Sequence, residues 1–132
     1  SLGVERLVLA TLFNAYEEEK LDNGEVREVL HLIPYLAPYK VTVLPLIKKL
    51  HSEKAIKIYN LLSKSFMVNY DESGSIGKRY RRSDAIGTPY CITIDDDTLN
   101  NNTVTLRDRD TMEQIIINLD EVEKYINERI KF

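Results

Sequence analysis

Residues suited to covalent or metal chemistry are scarce in this chain of 132 amino acids. It contains one cysteine (Cys91), two histidines (His31 and His51) and no tryptophan. A lone thiol cannot form an internal disulfide, which favours a reducing compartment, and its apolar neighbours Tyr90 and Ile92 predict a buried, unreactive side chain. The histidines and the cysteine are far apart in the sequence, so their spacing predicts no metal site.

Long apolar runs and the common catalytic motifs are missing as well. The chain has no run of about 18 apolar residues, so it predicts no membrane span, and its first residues lack the pattern of a signal peptide. The segment 74–78 lacks the first glycine and the final Ser or Thr of a phosphate-binding loop. The three aspartates at 95–97 lack the spacing of a calcium loop and predict a solvated turn. No serine or cysteine has a recognisable neighbouring base, so the compact part does not resemble an enzyme on its own.

What the chain does contain is an apolar content of 43%, sufficient for the core of one domain, and a local concentration of positive charge. The net charge is −3, yet four cations fall within the five positions from Lys78 to Arg82, with Tyr80 among them. A basic cluster on an acidic background predicts one specific anionic partner, and aromatic and arginine side chains stack on unpaired RNA bases. The alternative is a solvated helix face.

The first forty residues predict a helix and a connection. Residues 4–19 predict a helix that is apolar on nearly every side between Leu7 and Tyr16, as is typical of helices inside a larger protein. We therefore expect the chain to be a carboxy-terminal fragment. Residues 25–39 predict a linker or short strand, and the prolines there place the boundary of the compact domain near Pro38, between segments 1–37 and 38–132.

After this boundary, strands and helices alternate. The predicted strands are 40–46, 66–70, 89–94, 103–107 and 112–119; the predicted helices are 52–65, capped by Ser52, 76–86, ended by Gly87, and a last one capped by Asp120. Alternation of this kind predicts parallel pairing with right-handed crossovers, and the two closely spaced final strands predict an antiparallel edge. The expected fold is a three-layer α/β/α domain with a five-stranded mixed sheet, preceded by the first helix.

Several segments carry a resemblance to a known family. Residues 1–10 resemble the third signature motif of class II aminoacyl-tRNA synthetases. Similarity to the glycyl-tRNA synthetase family, class IIa, is carried in the expected order by segments 34–41, 73–80, 87–90 and 104–114. The resemblance covers nearly the whole chain. It implies that 38–132 is the α/β anticodon-binding domain of that class, and that 1–37 is the end of a catalytic domain.

The resemblance also implies an activity for the parent enzyme. Such an enzyme activates glycine with ATP and Mg²⁺ and attaches it to glycine tRNA, whose anticodon stem-loop this domain would bind. A cytoplasmic homodimer without a DNA or membrane partner is expected. Because most of the catalytic pocket is missing, we expect this chain alone to be inactive and to need no cofactor. The alternative is a non-enzymatic α/β module that binds another protein through its apolar first helix.

Site residues follow from the same resemblance. Glu5 and Arg6 match the ATP-contacting end of the motif, and Ser1 matches a serine beside the bound glycine; a helix cap and an exposed helix arginine are the alternatives for Ser1 and Arg6. Arg107 and Arg109 equally suit a structural ion-pair network, and Glu113 could accept from a cytosine amino group or cap the sheet edge. The residues expected to bind tRNA are Lys78, Arg79, Arg81, Arg82, Arg107, Arg109 and Glu113.

Overall fold

The structure, a computed structural model, describes Arg6 and residues 14–131. The described strands are β1 (Tyr16–Lys20), β2 (Val26–Leu30), β3 (Val41–Pro45), β4 (Val68–Tyr70), β5 (Tyr90–Ile94), β6 (Thr103–Asp108) and β7 (Gln114–Asn118). The described α-helices beyond residue 15 are α1 (Lys48–Leu62), α2 (Ile76–Ala85), α3 (Asp96–Asn101) and α4 (Leu119–Arg129), and a 3-10 turn spans Pro34–Leu36. In this part of the chain no helix has the length and apolarity needed to cross a membrane.

The main sheet has the strand order β4-β3-β5-β6-β7. Strand β3 is parallel to β4 and β5, whereas β6 is antiparallel to β5 and β7. Helices α1 and α2 return the chain between the parallel strands, because parallel neighbours need a long crossover. The predicted α/β fold with a five-stranded mixed sheet is confirmed, and so are the positions of its strands to within a few residues.

Two local predictions before and within the sheet are wrong. The first helix was expected to reach residue 19, but Tyr16–Lys20 forms β1 and pairs antiparallel with β2 as a separate hairpin. Gly24, with φ of +87°, makes the turn between these strands. Residues 1–5 and 7–13 lie outside the described residues. The expected solvated turn after β5 is instead α3, where Asp95 and Thr98 form a capping box that satisfies the first amides of the helix.

Two helix caps also differ from expectation. Helix α1 begins at Lys48, four residues before the predicted cap Ser52, and the amide of Ile47 donates to Nδ1 of His51 at 3.0 Å. Helix α4 is capped by Asn118, whose Oδ1 accepts from the amide of Asp120 at 2.9 Å. In both cases a nearby side chain supplies the acceptor, four residues away at Ile47 and two residues away at Asp120, because the first amides of a helix lack intrahelical partners.

One face of the main sheet, called the apolar face below, carries the core. Alternate residues of a strand share a face, so Val41 and Val43 lie beside Ile92 and Leu106 on neighbouring strands. This face packs against both α1 and α4, through the buried side chains Ala55, Ile58, Leu62, Val122 and Ile126. Val122 and Ile126 are the residues that α4 turns towards this face.

The opposite face, called the polar face, is covered by α2. Ser83 Oγ donates to Thr42 Oγ1 at 2.8 Å, and the hydroxyls of Tyr80 and Thr93 share a hydrogen bond of 2.8 Å. Cys91 lies on the same face, so its predicted burial is confirmed, and this burial raises the pKa of its thiol to about 11. Polar side chains therefore line the contact between α2 and the sheet.

The hairpin of β1 and β2 packs against the end of α2. Gly87, which ends α2 with φ of +80°, approaches so closely that a Cβ there would lie 3.1 Å from the Leu30 carbonyl oxygen and from Leu32 Cδ1. Arg27 of β2 is buried against the same region. The hairpin is thus held to the domain at the point where α2 turns into β5.

Candidate nucleic-acid interface

Helix α2 presents the basic cluster, and its first turn fixes which cations face outward. Gly74, with φ of +76°, makes the turn, and Ser75 caps the helix by accepting from the amide of Lys78 at 3.4 Å. The helical period then directs Arg79 and Ser83 towards the sheet and leaves the remaining cations on the outer side. The structure thereby divides the cluster into one inward arginine and three outward cations: Lys78, Arg81 and Arg82.

Arg79 is buried and its guanidinium binds only backbone carbonyls among the described contacts. Nη1 donates to the Pro45 carbonyl at the end of β3, and Nε and Nη2 donate to the Gly74 carbonyl at 3.2 and 3.1 Å. These bonds join the carboxyl end of the parallel strands to the turn before α2. The side chain therefore shapes the loop that carries the basic cluster.

Arg82 is half exposed and lies against the loop after β4. Nε and Nη2 donate to the two carboxylate oxygens of Asp71 at 2.8 and 3.0 Å. Partial burial opposes ionisation of Asp71, but the bonds from Arg82 and from the Ser73 amide outweigh it and lower the pKa of Asp71. The bond to Asp71 likewise raises the pKa of Arg82. The two bonds to Asp71 hold the exposed guanidinium of Arg82 in one orientation.

Arg81 and Lys78 complete the outer side of α2. Arg81 Nη2 donates to Glu25 Oε2 at 2.9 Å, and this bond lowers the pKa of Glu25. Lys78 is exposed and forms no ion pair with any residue from 14 to 131. The outer side therefore offers one unpaired ammonium group and two guanidinium groups with surface carboxylate partners, which water and phosphate can both approach.

Arg107 and Arg109 lie in a buried network on the polar face. Arg107 donates to both oxygens of Asp84 at 2.8 and 3.0 Å, and Arg27 donates to Asp84 Oδ2 at 3.0 Å. Arg109 donates to the Gly87 carbonyl at 2.8 Å and pairs with Asp110 at 2.9 Å. The structural ion-pair network, one of the two alternatives for these arginines, is confirmed. Their contact with RNA stays a prediction.

The expected tRNA-binding residues fall at two ends of the sheet. Arg79 contacts Pro45 at the carboxyl edge of the parallel strands, whereas the Arg109 amide donates to the Pro89 carbonyl just before β5, at the amino edge. Glu113 is exposed at the amino edge, in the turn between β6 and β7. The structure brings Lys78, Arg79 and Arg82 together and separates them from the other edge.

The residues that hold this arrangement include two that sequence reasoning missed. Asp84 is completely buried and binds both Arg27 and Arg107, and Arg27 also donates to the Arg109 carbonyl at 2.8 Å. No local pattern marks them, because Arg27 and Asp84 are 57 positions apart. Of the predicted ATP and glycine residues, Arg6 is exposed and has a helical conformation, and Ser1 and Glu5 lie outside the described residues.

Comparison with known families agrees with this architecture. Residues 40–129 match the family model described as the anticodon binding domain. The fold and this match define the class of the protein: the chain belongs to the anticodon-binding domain family.

Curated relatives match along the whole chain. The glycine–tRNA ligase of Clostridium tetani (strain Massachusetts / E88) is 61% identical over 132 residues, and that of Alkaliphilus metalliredigens (strain QYMF) is 58% identical over 132 residues. In both cases the alignment covers 100% of this chain and 28% of the relative. The chain thus spans little more than a quarter of the length of these proteins.

Solved structures show the same fold at lower identity. The RNA binding domain of threonyl-tRNA synthetase from Cryptosporidium parvum Iowa II aligns with a TM-score of 0.68 and 24% identity, covering 89% of this chain and 35% of that chain. Prolyl-tRNA synthetase from Cryptosporidium parvum, complexed with L-proline and AMP, aligns with a TM-score of 0.66 and 23% identity, covering 76% and 23%.

Proposed function

We propose that this chain is the anticodon-binding part of a glycine–tRNA ligase and that it binds the anticodon stem-loop of glycine tRNA. The observation that carries the proposal is the identity of 61% along the entire chain to a curated glycine–tRNA ligase. The match of residues 40–129 to the anticodon binding domain supports the same conclusion. The alternative of a protein-interaction module is not favoured, and the apolar helix on which it depends lies mostly outside the described residues.

The proposed RNA surface is the outer side of α2. Lys78, Arg81 and Arg82 are the cations of the cluster that solvent reaches. Phosphates can replace the carboxylate partners of Arg81 and Arg82 without unfolding the helix. The proposed role of the buried arginines is to hold this surface in position, because their guanidinium groups are bonded within the protein. These residues are Arg79, Arg107 and Arg109. Glu113 at the amino edge would contact RNA only if the bound loop extends along the whole of α2.

The parent protein would join glycine to its tRNA, with ATP supplying the energy for that step. Arg6 fits a role in holding ATP, because its exposed, permanently charged guanidinium suits phosphate groups and can stack on adenine. We also propose the boundary between segments 1–37 and 38–132, supported by the start of the family match at residue 40. A cytoplasmic homodimer that uses Mg²⁺ completes the proposal.

A titration with a labelled glycine anticodon stem-loop tests the RNA surface. The variant Lys78→Gln with Arg82→Gln removes two outer cations, and we expect its Kd to rise at least about tenfold, because charge-assisted hydrogen bonds are lost. The slope of log Kd against log salt should also fall by roughly 0.7 for each phosphate contact removed. Fluorescence anisotropy at two salt concentrations measures both quantities.

Lys124→Gln is the control, because Lys124 is also exposed but lies on α4, which packs on the opposite face of the sheet. It should change Kd by less than about twofold, as expected for a distant charge screened by salt. A scrambled loop should bind more weakly than the glycine loop. Equal effects of the double variant and of Lys124→Gln, or equal binding of the two loops, would contradict the proposed surface.

A further inference from the structure

A mixed group of ligating side chains lies where the hairpin joins the domain. Glu17 and Glu19 of β1 point to the same side as His31, which follows β2. His31 Nε2 lies 3.1 Å from Glu19 Oε1 and 3.3 Å from Glu17 Oε2. These three residues, called the hairpin cluster below, come from two strands that the hairpin turn brings together.

The other ring nitrogen of His31, Nδ1, forms a hydrogen bond with Asp110. Nδ1 lies 2.5 Å from Asp110 Oδ1, and because a carboxylate can only accept, Nδ1 carries the donated proton. In the neutral ring, Nε2 then presents a lone pair to two further carboxylates. Three acceptors that face one another in this way suit a cation among them, either a second proton on the ring or a metal ion.

The spacing in the hairpin cluster suits a metal ion. Ligands about 2.0–2.1 Å from a tetrahedral zinc ion are roughly 3.3 Å from one another. The two His31–carboxylate distances fall at this value, and the three ligating atoms all lie within 4.8 Å of one another. Histidine together with two carboxylates is a donor set that zinc accepts, with water as the fourth ligand.

Supporting residues orient two of the three ligands. Asp110 fixes the ring of His31, as carboxylates do for many metal-bound histidines. Arg27 Nε donates to Glu19 Oε2 at 2.6 Å and leaves Oε1 directed at the cluster. Arg27 itself is fully buried and anchored to Asp84. Glu17 is the exposed member, which leaves a path for an ion to enter.

We propose that Glu17, Glu19 and His31 bind a zinc ion that clamps the hairpin to the anticodon-binding domain through Asp110. The ion would connect β1 and β2 to the turn between β6 and β7, and so join residues before and after the proposed boundary near Pro38. This site does not depend on RNA binding or on ligase activity.

Titration of the metal-free 132-residue chain with Co²⁺, followed by displacement with Zn²⁺, tests the site. We expect the visible absorption of tetrahedral Co²⁺ at one equivalent, and a rise in Tm of roughly 5–10 °C when zinc exceeds its Kd about a hundredfold. His31→Gln should raise the zinc Kd by about a hundredfold and Asp110→Asn by about tenfold. Slower hydrogen exchange of the β1 and β2 amides with zinc would locate the effect.

Glu17→Gln and Glu18→Gln form the matched pair, because these neighbours lie on opposite faces of β1. Only Glu17→Gln should weaken zinc binding, and since Glu17 is exposed, both variants should fold. No Co²⁺ absorption up to about 1 mM metal would overturn the proposal and leave a protonated His31 as the cation of the cluster. So would zinc binding that is equally strong in both variants.

Discussion

The two faces of the main sheet are filled by different kinds of side chain. The apolar face packs Val43, Ile92 and Leu106 against α1 and α4. The polar face places Thr42, Cys91 and Arg107 against α2, and a fully buried aspartate, Asp84, joins two arginines there. Both faces belong to the same five strands, so the difference arises because successive residues of each strand point to opposite faces, with apolar residues on one face and polar residues on the other.

This difference affects how much stability each face loses on mutation and which face can carry a binding surface. Apolar packing is stabilised by burial of area, so removing one methyl group costs little. A buried ion network is stabilised only while every charge has its partner, so removing one member leaves the others uncompensated. The polar face also carries the basic helix, so the network fixes the position of the proposed RNA surface. Variants on each face test this difference.

Asp84→Asn should give the largest effect. It leaves the buried guanidinium group of Arg107 without a counter-charge and leaves Arg27 with Glu19 as its remaining carboxylate partner, and we expect a loss of about 3–5 kcal/mol in the free energy of unfolding. Urea denaturation followed by circular dichroism measures it. The apolar-face control Ile92→Val should lose about 0.5–1.5 kcal/mol. A smaller loss for Asp84→Asn than for Ile92→Val would show that the two faces do not differ in this way.

Gly87→Ala should give an intermediate effect of about 1–3 kcal/mol. The residue has φ of +80°, and its new Cβ would press on the Leu30 carbonyl oxygen, so the hairpin must move away from α2. Gly77→Ala is the control with the opposite sign: Gly77 lies within α2 with open space around it, and alanine should stabilise the helix by up to about 1 kcal/mol. Thermal unfolding measures both effects. A change in Tm of the same sign in the two variants would contradict the prediction.

Much of the fold could be predicted from the sequence because it depends on local pattern. Apolar runs such as the one from Tyr90 to Ile94 mark buried strands, and Gly87 marks the end of a helix. The hairpin could not be predicted in this way, because β1 has the sequence Tyr-Glu-Glu-Glu-Lys, which lacks β-branched residues. It forms by pairing with β2, and Arg27 provides a partner for Glu19 that local pattern does not show.

The candidate site was predictable only in part. The basic cluster on α2 is visible as a run of charge, but its division into inward Arg79 and outward Lys78 and Arg82 depends on how α2 lies on the sheet. Burial of Arg107 depends on Asp84, which is 23 residues away. The hairpin cluster has no signature in the sequence, because Glu17 and Glu19 reach His31 only through the pairing of β1 with β2.

The smallest effect should come from Arg82→Gln, which tests an exposed arginine of the same helix. Surface ion pairs contribute little to stability, so Tm should change by no more than a few degrees while RNA binding weakens.

The folded pKa of Asp71 is lowered, so the stabilisation from this pair is complete above the unfolded carboxyl pKa near 3.8 and is lost as the pH falls through the lower folded pKa. The stability difference between wild type and Arg82→Gln should therefore be constant from about pH 7 to 5 and disappear in stronger acid. NMR titration of the Asp71 carboxyl should show its pKa rise in the variant. An unchanged Asp71 pKa would mean that Arg82 does not bind Asp71 in solution. Asp71 would then not fix the orientation of the Arg82 guanidinium on the proposed RNA surface.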